Sequence, residues 1–576
     1  MKNKIYETLK TPYIENMDKD KPWDIYPRPQ LVRDSYASLN GSWDFAICET
    51  PNIPDEFTEK ILVPFPPESL LSGIERRVPT DAYMVYRRNF TIPEGFIKDR
   101  VLLHFGAVDE TCTVFVNGIE VGKNEGGYIP FFFDITDTIE GDCIDVTIIA
   151  KDRLSKEFPY GKQCEKRGGM WYTPVSGIWQ SVWLESVPRD HIESISIEQN
   201  AKFAKIRVNS KAEHKVLILE ETKECIAFDG DEVTVSPKSQ HLWSPEDPYL
   251  YNFTIQTDND KIESYFALRE IGIATVSGKE RILLNGKPYF FSALLDQGYY
   301  PDGIFLPATP DGYKEDILLA KRLGFNTLRK HIKIEPLIFY YLCDKLGIVV
   351  FQDMVNNSSY SFLLDTALPT IGFKKLTFPF RHTHKRTQEI FISEMKKTAM
   401  HLFNTPSVLL YTIFNEGWGE FRPDDAYRSL KELDSSRLID STSGWFFGNV
   451  SDLDSRHVYF RAPDIKKPTG KPQFLSEFGG FSCRIPEHLF GSKNYGYSIY
   501  SDTEALSDAI YHLYTDGVLP LIEDGLSAAV YTQLSDVEDE TNGLITYDRR
   551  FVKIDEARMI EANNALYSKF HDVTKS

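Results

Sequence analysis

Near residue 274 the chain changes its hydrophobic period, and this change rules out a single kind of fold. Before it, apolar and polar residues alternate over short runs: Val101–Phe105, Thr113–Asn117, Cys143–Ala150 and Ile178–Leu184. Turn signals such as Asn117-Gly118 and Asp229-Gly230-Asp231 separate strands of this kind. A period of two turns one face of a strand inward, and closely spaced strands of this sort predict an antiparallel sandwich. A second stretch, with strands expected at Lys205–Val208, Lys215–Leu219 and Tyr251–Gln256, has the length of an immunoglobulin-like sandwich, though no Cys–Trp–Cys pin marks it.

After residue 280 the pattern becomes strand, then helix, repeatedly. Strands are expected at Tyr289–Leu294, Phe325–Arg329, Ile348–Asp353, Val408–Phe414, Leu438–Ser441, His457–Phe460, Gln473–Ser476 and Ala528–Gln533. Helices are expected at Gly312–Leu323, Glu335–Leu346 and Gln388–Phe403. Eight strands in about 300 residues fit a (β/α)8 TIM barrel, whose active site lies at the C-terminal strand ends. A doubly wound open sheet competes, but no glycine-rich phosphate loop follows any strand. The expected organisation is an N-terminal β-sandwich over 1–187, an immunoglobulin-like sandwich over 188–273 and a barrel over 274–576. Residues 1–12 and the tail after about Lys569 are expected to be poorly ordered.

Bulk properties exclude several functions. A net charge of −19 argues against a phosphate-backbone partner. No run of 18 or more apolar residues spans a membrane. Met1–Asp20 is charged and lacks the apolar core of a secretory signal, and the seven cysteines are scattered without a CxxC pair. Together these favour a cytoplasmic protein with reduced thiols.

Two glutamates carry the chemistry. Glu416 closes Leu409–Trp418 (LLYTIFNEGW), and Glu477 lies in Gln473–Gly480 (QFLSEFGG). Each ends an apolar run at a glycine-containing break, as a buried parallel strand does when it delivers one carboxylate to its C-terminal end. Two carboxylates on one barrel face can divide the cleavage of a glycosidic bond, one as protonated acid and one as ionised nucleophile.

At these residues the chain resembles glycoside hydrolase family 2, the β-galactosidases, β-glucuronidases and β-mannosidases. Tyr86–Ile92, Val101–Pro130 and Gly177–Glu185 are similar to its jelly-roll domain, and Leu242–Tyr251 (LWSPEDPYLY) to its immunoglobulin-like domain. Asn404–Glu416 (NTPSVLLYTIFNE) matches the acid/base signature, with Tyr411 and Thr412 where the family usually has Trp and Ser. The resemblance implies Glu416 as acid/base on the fourth strand, Glu477 as nucleophile on the seventh, Asn415 as partner of the sugar 2-hydroxyl and Arg329 as support for the nucleophile. The family's Arg-x-x-His-Tyr-Pro is here Arg329-Lys330-His331-Ile332-Lys333, so His331 stands one position early, a shift that would turn it to the opposite strand face.

His457 and Tyr459 are similar to the family's sixth-strand His-x-Tyr. Trp445 and Asp296 are candidate sugar contacts, and Trp418 is a candidate for excluding water from the acid. Gln533, Asp536 and Glu538 follow the eighth strand, where the family often has a Trp; they read either as site residues or as a solvated acidic loop.

The resemblance implies a retaining, exo-acting β-glycosidase that hydrolyses terminal sugars, needing no organic cofactor and no metal, with magnesium or sodium as accessories in some relatives, and it allows a homo-oligomer. The glucuronidase branch uses an Asn-x-Lys element that is absent after residue 300, which favours a neutral β-hexoside, galactoside first. Lys330 and Lys333 are the alternative source of charge for an acidic sugar. A transglycosidase, a carbohydrate-binding protein without catalysis, and a first sandwich that either binds sugar or only braces the barrel are the remaining alternatives, with bracing favoured.

Overall fold

The computed structural model of the protein describes residues 9–575 except 362, 364, 366, 367, 369–383, 446–448 and 466–468. In the first sandwich a four-stranded antiparallel sheet (Tyr36–Ser38, Val182–Val187, Arg100–Phe105, Phe131–Asp134) faces a six-stranded one that includes Gly41–Cys48, Tyr83–Thr91, Cys143–Lys151 and Thr111–Val116. Alternate residues supply the core: Val101, Leu103 and Phe105 meet Ile144, Val146 and Ile148. The second sandwich pairs a three-stranded sheet (Ile192–Gln199, Ala204–Ser210, Glu232–Val235) with a four-stranded one (Cys225–Asp229, His214–Leu219, Tyr251–Gln256, Lys261–Phe266).

Eight parallel strands form the barrel: β1 (Phe291–Asp296), β2 (Thr327–Lys330), β3 (Val349–Asp353), β4 (Val408–Asn415), β5 (Leu438–Ser443), β6 (Asp454–Val458), β7 (Gln473–Gly479) and β8 (Leu526–Thr532). The ladder order is 5-4-3-2-1-8-7-6, so closure falls between β5 and β6, which lie side by side. The order excludes the doubly wound alternative. Every residue of β3, β4 and β7 is buried, because the strands are covered outside by helices and inside by one another. The expected strands are all present with shifted ends. The largest shift is in β6, which ends at Val458 and leaves Tyr459 and Phe460 beyond it. Phe460 is left-handed, with φ of 62°, and cannot continue a strand.

Residues 9–12 and the tail after Lys569, up to residue 575, are better packed than expected. Leu9 and Thr11 are buried, and Thr11 donates from its amide (2.9 Å) and hydroxyl (2.5 Å) to the Asp302 carboxylate. A helix over Glu556–Thr574 carries the tail, burying Met559, Ala562, Leu566 and Phe570 at helical spacing. Residues 1–8 lie outside the described residues. All seven cysteines are free thiols. Among the described residues no helix is long and apolar enough to cross a membrane.

Each sandwich grips a different end of the barrel. Trp243, from the second sandwich, joins Ile282 and Leu284 in the cluster that fills the barrel interior with Ala293, Leu295, Phe351, Leu410, Phe474 and Val530. Its indole Nε1 donates to the Asp344 carbonyl at 2.8 Å. The first sandwich reaches the opposite end with residues 152–176, the loop between its strands Cys143–Lys151 and Gly177–Ile178. There the Tyr160 and Gly161 amides donate to the Asn356 carbonyl at 3.1 and 3.3 Å, and the Tyr160 hydroxyl donates to the Ser358 carbonyl at 2.6 Å. Gly161 is required at this contact: its φ is 62°, and a Cβ would sit 2.8 Å from the Ile332 carbonyl oxygen.

Trp243→Ala is expected to lower the stability of the barrel by about 3–5 kcal/mol, the range for an indole deleted from a core. Guanidinium unfolding followed by far-UV circular dichroism checks this; an unchanged midpoint would show that the plug contributes nothing.

Candidate active site

The apolar runs of β4 and β7 end at the same mouth and deliver Asn415, Glu416 and Glu477 there. Glu416 follows β4 in the left-handed region, with φ of 55°, a conformation that costs a non-glycine residue of order 1 kcal/mol or more. Its amide is held by the Ser443 carbonyl at 3.0 Å. Gly444 passes so closely that a Cβ there would lie 3.3 Å from the Glu416 Cα and Cγ and from the His457 Nδ1. Strain at Glu416 is thus fixed by β5 behind it.

His457 on β6 sits between the two glutamates. Its Nδ1 is 2.9 Å from one Glu416 carboxylate oxygen and 3.4 Å from one of Glu477. One donor atom from each of Glu416, His457 and Glu477 lies within 4.8 Å of the other two. Carboxylate oxygens that approach within this bound lie on the retaining side of the roughly 6.5–9.5 Å separation of inverting glycosidases, which must admit a water.

Arg329, fully buried on β2, organises the floor beneath them. Its Nε donates to Asp353 on β3 at 2.9 Å, and its Nη1 to Glu477 at 3.1 Å and the Ser476 carbonyl at 2.9 Å. Its Nη2 donates to Asn415 at 3.0 Å and Ser443 at 3.2 Å. Burial disfavours the guanidinium charge, but Asp353 and Glu477 more than restore it. Tyr459, just past β6, donates its hydroxyl to the second Glu477 oxygen at 2.6 Å and stacks on Tyr497 with ring centres 3.8 Å apart. Burial alone would push the Glu477 carboxyl up. The electrostatic influence of His457, Arg329, His331 and Lys162 overcomes it and holds the group near pH 2.

His331 does not turn away as the one-residue shift suggested. Positions 329 and 331 share the inward face of an extended segment, and His331 Nδ1 lies 2.7 Å from the second oxygen of Asp353. Ile332, left-handed with φ of 53°, absorbs the change of path behind it. Trp445 is half-buried, with its ring edge-on to His457 at 5.9 Å. Trp418 is buried among Tyr160, Trp171 and Tyr360, three rings at 5.1–6.0 Å, so it joins the first sandwich to the barrel.

Asp296 is engaged elsewhere. Its oxygens are taken by Lys330 Nζ at 2.6 Å and the Gly298 amide at 2.9 Å. Lys330 and Lys333, suggested above as charge for an acidic sugar, are both buried and both bound to Glu335, at 2.8 and 2.9 Å. Gln533, Asp536 and Glu538 are buried, not a solvated loop. Glu538 accepts the Thr173 amide of the first sandwich at 2.8 Å, and burial pushes its carboxyl up to about 7.

Sequence reasoning missed Asp353, which clamps Arg329 and His331 together, and Lys162 on the sandwich loop. It also missed Tyr497, and Glu540, whose oxygens bind Tyr172 and Asn542. Glu416, His457 and Glu477 are, among the described residues, the one trio of metal-ligating side chains so close together. A set containing imidazole does not suit magnesium or sodium, which take oxygen ligands.

Three family models match consecutive parts of the chain: "Glycosyl hydrolases family 2, sugar binding domain" over 73–188, "Glycosyl hydrolases family 2" over 186–273 and "Glycosyl hydrolases family 2, TIM barrel domain" over 279–468. The chain belongs to glycoside hydrolase family 2. It is 26% identical over 296 residues to a β-galactosidase of Thermoanaerobacter pseudethanolicus, covering 47% of this chain and 39% of that one. It is 24% identical over 404 residues to human β-glucuronidase, covering 62% and 58%. The chain thus spans less than two thirds of either relative. A solved β-glucuronidase from an uncultured Clostridium species shares the fold with a TM-score of 0.73 at 18% identity, covering 94% of this chain and 99% of that one.

The depressed Glu477 carboxyl links this site to stability. A group held low in the folded chain stabilises it fully above its ordinary value of 4.5, and that contribution is lost as pH falls through about 2. Glu477→Gln is expected to be less stable than the parent at pH 6, with the difference narrowing between about pH 5 and pH 2. Denaturant titrations across that window check this; a pH-independent difference would show that the carboxylate charge is not what Arg329 holds.

Proposed function

We propose that the protein is a retaining, exo-acting β-glycosidase that hydrolyses a terminal β-linked sugar by double displacement. The observation that carries this reading is the Glu416–Glu477 pair: two carboxylates brought from β4 and β7 to within 4.8 Å through their nearest ligand atoms, only one of them clamped by a guanidinium. Glu477, kept ionised, attacks the anomeric carbon while Glu416 protonates the departing oxygen. Glu416 then takes a proton from water, which displaces Glu477 with net retention. Tyr459 and Arg329 hold the two Glu477 oxygens in place for attack, and Asn415, itself positioned by Arg329 and Ser443, faces the sugar 2-hydroxyl.

Exo action is carried over from the family, and the sandwich loop 152–176 packs against the residues that follow β3 at the mouth. A binding-only role is disfavoured, because Glu416, Glu477, Asn415 and Arg329 are not merely all present but hydrogen-bonded into one network with His457. The relatives carry the names of galactosidases and glucuronidases, and a β-hexoside of one of these types is the substrate class. The chemistry needs no cofactor; no step runs through magnesium or sodium.

A panel of p-nitrophenyl β-glycosides, with proton NMR of the first sugar anomer released, tests this reading. The β-anomer is expected first. Glu477→Gln and Glu416→Gln should each lower kcat by about a thousandfold or more on the substrate that is cleaved. Initial release of the α-anomer, or near-parental turnover by either variant, would overturn the assignment.

A further inference from the structure

Lys162 stands out among the charges around the mouth because none of the described residues forms a hydrogen bond or ion pair with its side chain. It belongs to Gly161-Lys162-Gln163 on the first sandwich, and the backbone on both sides is pinned. Gly161 is held against Asn356 and Ile332 of the barrel, as described. Gln163 is buried, donating to Asp109 at 3.2 Å and Tyr128 at 3.3 Å while accepting the Val175 amide at 2.7 Å. The carbonyl of Lys162 itself accepts the Tyr172 amide at 3.0 Å. A loop fixed this firmly determines where the side chain is presented.

That side chain is half-buried and makes no hydrogen bond or ion pair among the described residues. Neighbouring cations are spent. Arg329 serves Asp353 and Glu477, Lys330 and Lys333 serve Glu335, Arg167 serves Glu538 and Asp539, and Lys553 serves Asp536. The anions nearest in effect are spent as well: Glu477 is bound by Arg329 and Tyr459, and Glu540 by Tyr172 and Asn542. The field of Lys162 is nevertheless felt in the site, since it lowers the pKa of Glu477, Glu540 and, after burial, His331. A partly buried ammonium that no carboxylate contacts directly is costly, and a ligand carboxylate would relieve that cost where a hydroxyl would not.

We infer that Lys162 is a specificity-determining residue that binds a carboxylate on the terminal sugar, so that the preferred substrate is a β-linked hexuronide. The inference rests on the β-glycosidase reading above and supplies the substrate class that reading leaves open. The placement is consistent with pyranose geometry. Carbon 5 lies across the ring from carbon 2, so a sugar whose 2-hydroxyl faces Asn415 carries its C5 substituent away from β4. Recognition and cleavage then come from different domains, with Lys162 from the sandwich and Glu416 and Glu477 from the barrel.

The test compares the parent, Lys162→Met and Lys162→Arg on p-nitrophenyl β-D-glucuronide, β-D-galacturonide, β-D-glucoside and β-D-galactoside. The parent is expected to prefer a uronide. In Lys162→Met, kcat/KM on that uronide should fall about 10–100-fold further than on the neutral sugars, chiefly through KM, as loss of one charge-assisted contact requires. Lys162→Arg should recover part of the loss. Circular dichroism and the thermal midpoint confirm that each variant folds. Equal losses on uronides and neutral sugars would overturn the inference, because Lys162 would then act only through Glu477 or the loop. So would a parent that prefers the neutral sugars. If the parent cleaves no glycoside, the β-glycosidase reading itself falls; cleavage without a Lys162-dependent preference sinks only this inference.

Discussion

The guanidinium of Arg329 is the interaction on which the site depends. It is fully buried, and a buried charge is tolerated only when its donors are matched in geometry and its charge is balanced. Here the fork spans five acceptors on β3, β4, β5 and β7: Asp353, Asn415, Ser443, the Ser476 carbonyl and Glu477. Lysine has no planar fork and could not serve these directions together. One side chain therefore sets the orientation of Asn415 and, after His457, helps to keep Glu477 ionised, and it joins four barrel strands beneath the place where a substrate would sit.

Around this hub the domains divide their work by the end of the barrel they touch. The second sandwich supplies Trp243 to the N-terminal end, where barrels are stabilised. The first sandwich lays residues 152–176 along the C-terminal end, where barrels carry chemistry. The two contacts differ in kind. Trp243 is an apolar plug in a closed core, whereas the loop meets the barrel through backbone hydrogen bonds, through Glu538 and Glu540, and through the ring cluster of Tyr160, Trp171, Trp418 and Tyr360.

How legible these features are in the sequence follows from where the forces act. β4 and β7 are readable because strands buried on both faces must be apolar until the chain breaks, and the break exposes Asn415, Glu416 and Glu477. β6 is poorly readable: Asp454–Val458 is mostly polar, since it pairs in the ladder only with β7 and meets β5 without such pairing. The apolar residues after it, Tyr459 and Phe460, draw the expected strand too far along the chain. The tail was readable in principle, because Met559, Ala562, Leu566 and Phe570 recur at helical spacing, but its charged residues hide that stripe. Asp353 and Lys162 carry no local signal at all. One ends a strand as many polar residues do, and the other looks like any surface lysine until Gly161 and Gln163 are seen to be docked.

The docking of that loop has a consequence for how such a chain can diverge. Its anchors, the Gly161 backbone and the Gln163 amide, do not involve the side chain between them. Position 162 can therefore change identity at little cost to folding, while Glu477 and Arg329 are each locked by several partners. Mutation would meet a hard barrier in the barrel and a soft one on the loop. A lineage built on this scaffold would be expected to change which sugar it accepts long before it changed how it breaks the bond.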